Sequence, residues 1–239
     1  MKKIVQLSVL MLFIGVLMSC KSKTPQASAG ATIQDSPAVT VCIWDKVSLK
    51  ESPSDKGKWL ASLSLGEKCT YLDDSKEDNS GKKPVTYYKV KLQDNQEGWV
   101  QSDFIILKSK PAVFVKDAEI YSRPDLLTKT NKSFSIMDIV AVKSEQGEFV
   151  EVAGKRKAGK WIETGWIKPA NVSYTDVDIA VAKYGSKALE ISDRQKRNAA
   201  LNEIINNSDY KSSVFVNTLF HMVDDSINTE KNVKVEGQE

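Results

Sequence analysis

The chain has 239 residues, 41% of them hydrophobic, and its 34 basic and 31 acidic side chains leave a formal charge of +3. So small an excess gives no whole-molecule attraction to nucleic acid, and at roughly 50–250 residues per domain the length holds one large domain or a few small ones. One histidine and three cysteines, with no closely spaced cysteine pair, leave a zinc site short of ligands.

Met1-Lys2-Lys3 is a basic start, and Ile4 to Met18 is apolar apart from Gln6 and Ser8. That run falls short of the ~20 residues of a spanning helix and has the pattern of a secretory signal. It ends in Leu17-Met18-Ser19-Cys20, which resembles the lipobox of bacterial lipoproteins, with Met18 as a mild departure. The resemblance implies a signal peptide over 1–19, cleavage before Cys20, a diacylglycerol on its sulfur and acylation of the new amino group. An ordinary signal followed by an unrelated cysteine is the alternative reading. Two or more acyl chains, at about 0.8 kcal/mol per buried methylene, anchor stably. Lys21 stands where enterobacterial lipoproteins carry a retention aspartate. The expected location is therefore the cell membrane or the outer membrane, facing periplasm or exterior.

Residues 20–38 are rich in Ser, Thr, Ala, Pro and Gln, which predicts a flexible linker. From Val39 to about Tyr174, short β-branched and aromatic runs alternate with polar loops, the texture of all-β modules. The pattern occurs twice. Leu49-Lys50-Glu51-Ser52-Pro53 answers Ile120-Tyr121-Ser122-Arg123-Pro124, and Leu63, Leu65, Cys69 and Tyr71 answer Phe134, Ile136, Val140 and Val142. These are alternating positions, as one buried strand face requires. Tyr88 and Val90 resemble Val150 and Val152, and each half closes on Gly98-Trp99-Val100 or Gly165-Trp166-Ile167. Length differences fall in a polar loop, Asp73 to Pro84, and a basic loop, Gly154 to Lys160, as a shared β core predicts. The glycine before each tryptophan allows close backbone approach or a bulge.

These blocks, twice in register, resemble the bacterial SH3 domain, SH3b. Met137 stands where the first copy has Gly66, so the second copy departs from the pattern at that turn. The resemblance implies a mainly β chain: two tandem SH3-like small β-barrels, 39–108 and 109–175, followed by a short α-helical C-terminal region, 176–225. In that region Ser192-Asp193-Arg194-Gln195 fits a capping box. Leu201, Ile204 and Ile205 share one helical face, and Phe215, Leu219, Met222 and Val223 another, while Gly185 weakens an earlier helix. Residues 226–239 read as a disordered polar tail.

With Cys20 lipidated, Cys42 and Cys69 remain, and a disulfide between them or two buried free thiols are both open. A Cys–His hydrolase would have to use one of them with His221, which lies on an apolar helical pattern. No phosphate loop or His-Glu-x-x-His motif occurs. The acids Asp73, Asp74, Asp224 and Asp225 read as solvated. No catalytic residue, metal site or cofactor is expected. Candidate ligand-binding residues are the aromatics Trp44, Tyr87, Tyr88, Tyr121 and Trp161, although any single one of them reads more readily as core. To these are added Lys155, Arg156 and Lys157 of the basic loop, also readable as a solvated hairpin tip. The expectation is a non-enzymatic, membrane-anchored envelope lipoprotein binding a peptidoglycan peptide or an envelope protein through its SH3b domains. Its alternative is a surface-exposed lipoprotein that grips a host or environmental anionic polymer. A cysteine hydrolase of cell-wall peptides ranks last.

Overall fold

In the computed structural model, which describes residues 39–223, the chain builds one sheet topology twice. The first sheet uses β1 (Val39–Cys42), β2 (Val47–Lys50), β3 (Trp59–Leu63), β4 (Lys68–Asp78), β5 (Val85–Lys91), β6 (Glu97–Gln101) and β7 (Ile105–Ile106). The second uses β8 (Lys110–Phe114), β9 (Ala118–Tyr121), β10 (Lys129–Phe134), β11 (Ile139–Gln146), β12 (Phe149–Lys155), β13 (Ile162–Ile167) and β14 (Val172–Ser173). Their orders are β3-β2-β6-β5-β4-β1-β7 and β10-β9-β13-β12-β11-β8-β14, so each later strand takes the place of the strand seven before it. A 3-10 turn, Ser102–Phe104 or Pro169–Asn171, precedes the last strand of each. The chain is mainly β, with SH3-like β architecture and C-terminal helices. The signal sequence, Cys20, the linker and the tail lie outside the described residues.

The strands form where alternation allows one face to be buried. In β2, Val47 and Leu49 point inward and Ser48 outward; in β9, Ala118 and Ile120 point inward and Glu119 outward. Leu49, Leu63, Val90 and Val100 centre the first core, and Ile120, Phe134, Val152 and Ile167 the second. Phe114 stacks on Phe134 there, with centroids 4.8 Å apart. The closing glycines are required by close approach: a Cβ on Gly98 would lie 2.7 Å from Leu49 Cγ, and one on Gly165 would collide with Ile120 Cγ2.

The turn that holds Gly66 is built alike in both halves. Gly66 has φ 79° and Met137 φ 69°, so the methionine occupies the left-handed region at its predecessor's place. Gly66 N–H donates to Cys42 O (2.8 Å) and Met137 N–H to Phe114 O (2.9 Å). Glu67 caps Ser64 N–H as Asp138 caps Ser135 N–H, each at 2.8 Å. Asp45 and Asp117 accept from Leu65 N–H and Ile136 N–H. The departure at Met137 therefore changes the side chain and leaves the turn intact.

Two loop expectations change. Residues Asp73–Asp78 belong to β4, with Asp73 at φ 53° where the β4–β5 register shifts, so the loop shrinks to 79–84. Gly154 and Lys155 belong to β12, leaving 156–161 as the basic loop. The capping residue also moves: Asp193, rather than Ser192, opens the second helix, its carboxylate accepting from Lys196 N–H at 2.8 Å. A carboxylate is a better partner than a hydroxyl for the positive end of a helix.

After β14 come α1 (Asp176–Leu189) and α2 (Arg194–Asn206), and residues 216–223 are again helical. Their apolar faces do not pack only on one another. Ile179, Val181, Ala182, Leu201, Phe215 and Leu219 share one cluster with Val113, Met137 and Ile139 of the second sheet, and Leu65 of the first packs against it. Short helices gain their stability from such packing rather than from propensity. Gly185 serves as a small surface in α1: a Cβ there would approach Leu219 to 3.1 Å. Two ion pairs tie α1 to the first sheet, Lys68–Asp176 (2.8 Å) and Lys187–Asp45 (3.0 Å). Among the described residues no helix is long and apolar enough to cross a membrane.

Candidate functional site

The end of strand β1 is buried on both faces: Val41, Cys42 and the residue that follows, Ile43, are inaccessible. Cys42 faces its own core, whereas Val41 and Ile43 cluster with Ala141 of β11, with Ile106 and Ile162 alongside. This second cluster is a seam between the two sheets. Directly after it, the half-buried Trp44 leaves β1 and leans on Phe104, with ring centroids 5.8 Å apart. Lys155, at the end of β12, reaches across the seam and sets its Nζ 4.8 Å from the Trp44 ring centroid. An ammonium at that distance over an indole face is attracted by the ring quadrupole, by about 0.5–1 kcal/mol at an accessible site.

The basic loop is fixed rather than loose. Arg156 pairs with Glu163 (3.6 Å) and donates to Ser133 O (3.4 Å). Lys157 N–H donates to Asp138 Oδ1 (3.0 Å), and Gly159 N–H closes a turn on Arg156 O (2.9 Å). Asp138 is the same carboxylate that caps the Met137 turn, so the loop is pinned to the barrel core. This arrangement turns the Lys157 and Lys160 side chains to solvent and leaves Trp161 81% exposed. The next residue, Ile162, packs back onto the seam cluster. An exposed indole on a cationic loop, next in sequence to the residue that pairs with Lys155, can stack on a planar or apolar group, and the loop can hold an anionic one.

Of the candidate residues, the structure brings Trp44, Lys155, Arg156, Lys157 and Trp161 to this seam or its loop. It places the tyrosines in packing roles. Tyr87 is 1% exposed, its hydroxyl accepting from Gln101 Nε2 (3.3 Å). Tyr88 is half-buried edge-on to Tyr71 at 5.2 Å. Tyr121 is buried against Phe149 and donates to Glu119 (3.2 Å). Sequence reasoning missed Trp59, 58% exposed with its indole N–H on Ser62 Oγ. It also missed the bare pair Leu126 and Leu127 between β9 and β10. A tryptophan opening a strand straight after the polar run 51–58 was the available signal for Trp59.

Cys42 and Cys69 are free thiols, both buried. Burial pushes each up to about 12, and the Cys42 thiol donates to Trp44 O at 3.2 Å. A thiol so shifted is protonated at neutral pH and presents no thiolate nucleophile. His221 is exposed on the 216–223 helix rather than partly buried as its apolar neighbours implied. Among the described residues no group of three or more His, Cys, Asp or Glu is placed to hold a metal ion.

Residues 45–106 match the family model of the bacterial SH3 domain. No curated protein matches the chain. Among solved structures, it is similar to NlpC2 from Trichomonas vaginalis at 13% identity and a TM-score of 0.25, over 71% of this chain and 56% of that one. NlpC1 from the same organism gives 13% identity and a TM-score of 0.24, over 66% and 55%. The chain thus spans little more than half the length of those proteins.

Proposed function

We propose that the chain is a lipid-anchored envelope protein, and that it binds a peptidoglycan peptide or an envelope protein at the seam between two bacterial SH3 domains, without chemistry of its own. The observation that carries this reading is the exposed Trp161 on the cationic loop, joined through Ile162 and Lys155 to Trp44, the residue just before the segment matched over 45–106. The second domain is supported by the repeated strand order and the repeated turn hydrogen bonds. The burial of both thiols and the exposure of His221 argue against a Cys–His hydrolase. Anchoring through Cys20 rests on the sequence pattern alone.

Isolated sacculi, sedimented with the full chain in detergent, test the binding. Trp161→Ala is expected to reduce the sedimented fraction severalfold, and retention unaffected by Trp161→Ala, Trp44→Leu and Lys155→Ala together would refute the seam as the site. The exposed Lys157 and Lys160 favour a second reading, an anionic polymer as ligand. Its signature is retention that collapses between low and high salt, since exposed charges are screened beyond ~10 Å at 0.1 M.

A further inference from the structure

A second binding surface lies on the helical region, where none of the lining residues is a tryptophan. Between α1 and α2 runs a cleft of about 400 Å³, within the roughly 300–1,000 Å³ of small-ligand sites. Its floor is apolar and firm, with Ala188 4% and Ile204 8% exposed and Ala200 and Ile191 beside them. Tyr184 and Tyr210 form one wall, their rings stacked at 6.2 Å and 30°. Tyr184 is 45% exposed although it sits on a packed helix.

Three polar groups complete the lining: Lys187, Glu203 and Asn207. The Glu203 carboxylate is exposed and has no hydrogen bond or ion pair among the described residues. Lys187 gives one N–H to Asp45 at 3.0 Å and keeps two to donate. The Asn207 side-chain oxygen is taken by Asp209 N–H (2.9 Å), which leaves its NH₂ to donate.

The Lys183 ammonium already stands 5.7 Å from the Tyr184 ring centroid, so the Tyr210 ring and the unpaired Glu203 carboxylate are what the cleft offers a ligand ammonium, by ring quadrupole and by charge. An alkyl stem leading to that ammonium fits the isoleucine and alanine floor. A carboxylate at the other end finds Lys187, and a peptide carbonyl finds Asn207. We infer that the α1–α2 cleft binds a short peptide that carries a primary ammonium on an alkyl side chain and a free C-terminal carboxylate. This is the chemistry of cell-wall stem peptides containing a diamino acid, so the inference deepens the proposed function and rests on it for the identity of the source. Among the described residues, the cleft shares no lining residue with the seam and meets it only through the Lys187–Asp45 ion pair, next to Trp44.

The test uses the ¹⁵N-labelled full chain in detergent, titrated with acetyl-Ala-Lys-Ala bearing a free carboxylate. Saturable shifts are expected at the amides of Tyr184, Ala188, Glu203 and Asn207. Acetylating the peptide's lysine, or amidating its C-terminus, is expected to weaken binding about fivefold, the upper range of one exposed ion pair. Glu203→Gln, at an exposed position that does not threaten folding, should cost the same against the free peptide and nothing further against the acetylated one. Silent cleft amides, or equal affinity for the peptide and its lysine-acetylated form, would overturn the inference. Sacculi retained by the chain while the cleft stays silent would overturn it too, and would leave the seam reading standing. Sacculus binding lost in Trp161→Ala with the cleft still titrating would separate the two sites.

Discussion

Among single residues, Asp178 has the most demanding environment. Its side chain is buried at the start of α1, and one oxygen accepts from Ser173 Oγ (2.6 Å) and Thr175 Oγ1 (2.7 Å). The other accepts from Ser213 Oγ (2.8 Å) and Val214 N–H (2.9 Å). One carboxylate therefore joins β14, the entry to α1 and the segment before the 216–223 helix. Burial raises its pKa, but the four hydrogen bonds outweigh that, and the net shift is below the ordinary 3.8. A carboxylate with a depressed folded pKa contributes stability that is present above its unfolded value and lost as pH falls through the folded one. Asp178→Ala is expected to cost about 1–3 kcal/mol at pH 7, because it orphans the buried Ser213 hydroxyl and removes three bonds from more accessible donors. Urea melts should show that cost shrinking as pH drops from neutrality to below 3.8, and a pH-independent difference would contradict it. This network was invisible in sequence, since its donors lie up to 36 residues from the acid. The aromatics show the same limit at the same scale. Tyr87 and Tyr88 are neighbours on one strand, and nothing local decides which of them enters the core. Trp161 was legible as a candidate because the loop it ends is polar, which leaves its ring little to pack on.

Elements were more legible, because they are set by periodicity. Alternation along β2, β4, β5, β9 and β12, with the repeated Gly-Trp, was enough to align the halves. What alternation cannot show is a strand buried on both faces. Val41-Cys42-Ile43-Trp44, from the end of β1, and Ile139-Val140-Ala141-Val142, the start of β11, are unbroken apolar runs, and those runs mark the seam. The turn at Met137 makes a prediction of unusual sign. The residue has φ 69°, yet its side chain is 6% exposed among Val113, Ile139 and Ile179. Met137→Ala loses that packing and keeps the backbone strain, for an expected loss of about 2–4 kcal/mol. Met137→Gly loses the same packing and is relieved of roughly 1 kcal/mol of strain. Glycine should therefore be the less damaging replacement, against the usual order. Denaturant midpoints of the two variants decide it, and an alanine variant at least as stable as the glycine one would contradict the left-handed turn. In the first half the reverse holds. Gly66→Ala adds strain, and its Cβ would meet Ile139 and Ile179 at 3.1 and 3.2 Å, so it is expected to destabilise by about 1–3 kcal/mol.

At the scale of the molecule, the repeat suggests two modules on a string, and the contacts argue otherwise. The turn of the first barrel touches Ile139 of the second and Ile179 of α1, and Leu65 joins the helical core. Val41, Ile43 and Ala141 are wholly inaccessible at the seam. The two ion pairs from α1 to the first barrel are partly exposed, and such pairs contribute only about 0–1 kcal/mol. The apolar contacts must then carry the coupling, at about 25 cal/mol per Å² buried. Folding as one cooperative unit follows: far-UV circular dichroism and tryptophan fluorescence should report one coincident thermal transition. Lys68→Ala with Lys187→Ala should shift it by only a few degrees. Ala141→Glu places a charge with no partner in the seam, and the transition is expected to split or fall sharply. The same substitution tests function, because Lys155 and Trp44 come from different barrels and their pairing exists only while the seam is closed. If the seam is the binding surface, Ala141→Glu should lower sacculus retention at least as far as Trp161→Ala does, even at temperatures where circular dichroism still shows native strand content. Retention that survives an opened seam would mean that one barrel alone carries the ligand, and that the second serves to hold the helices in place.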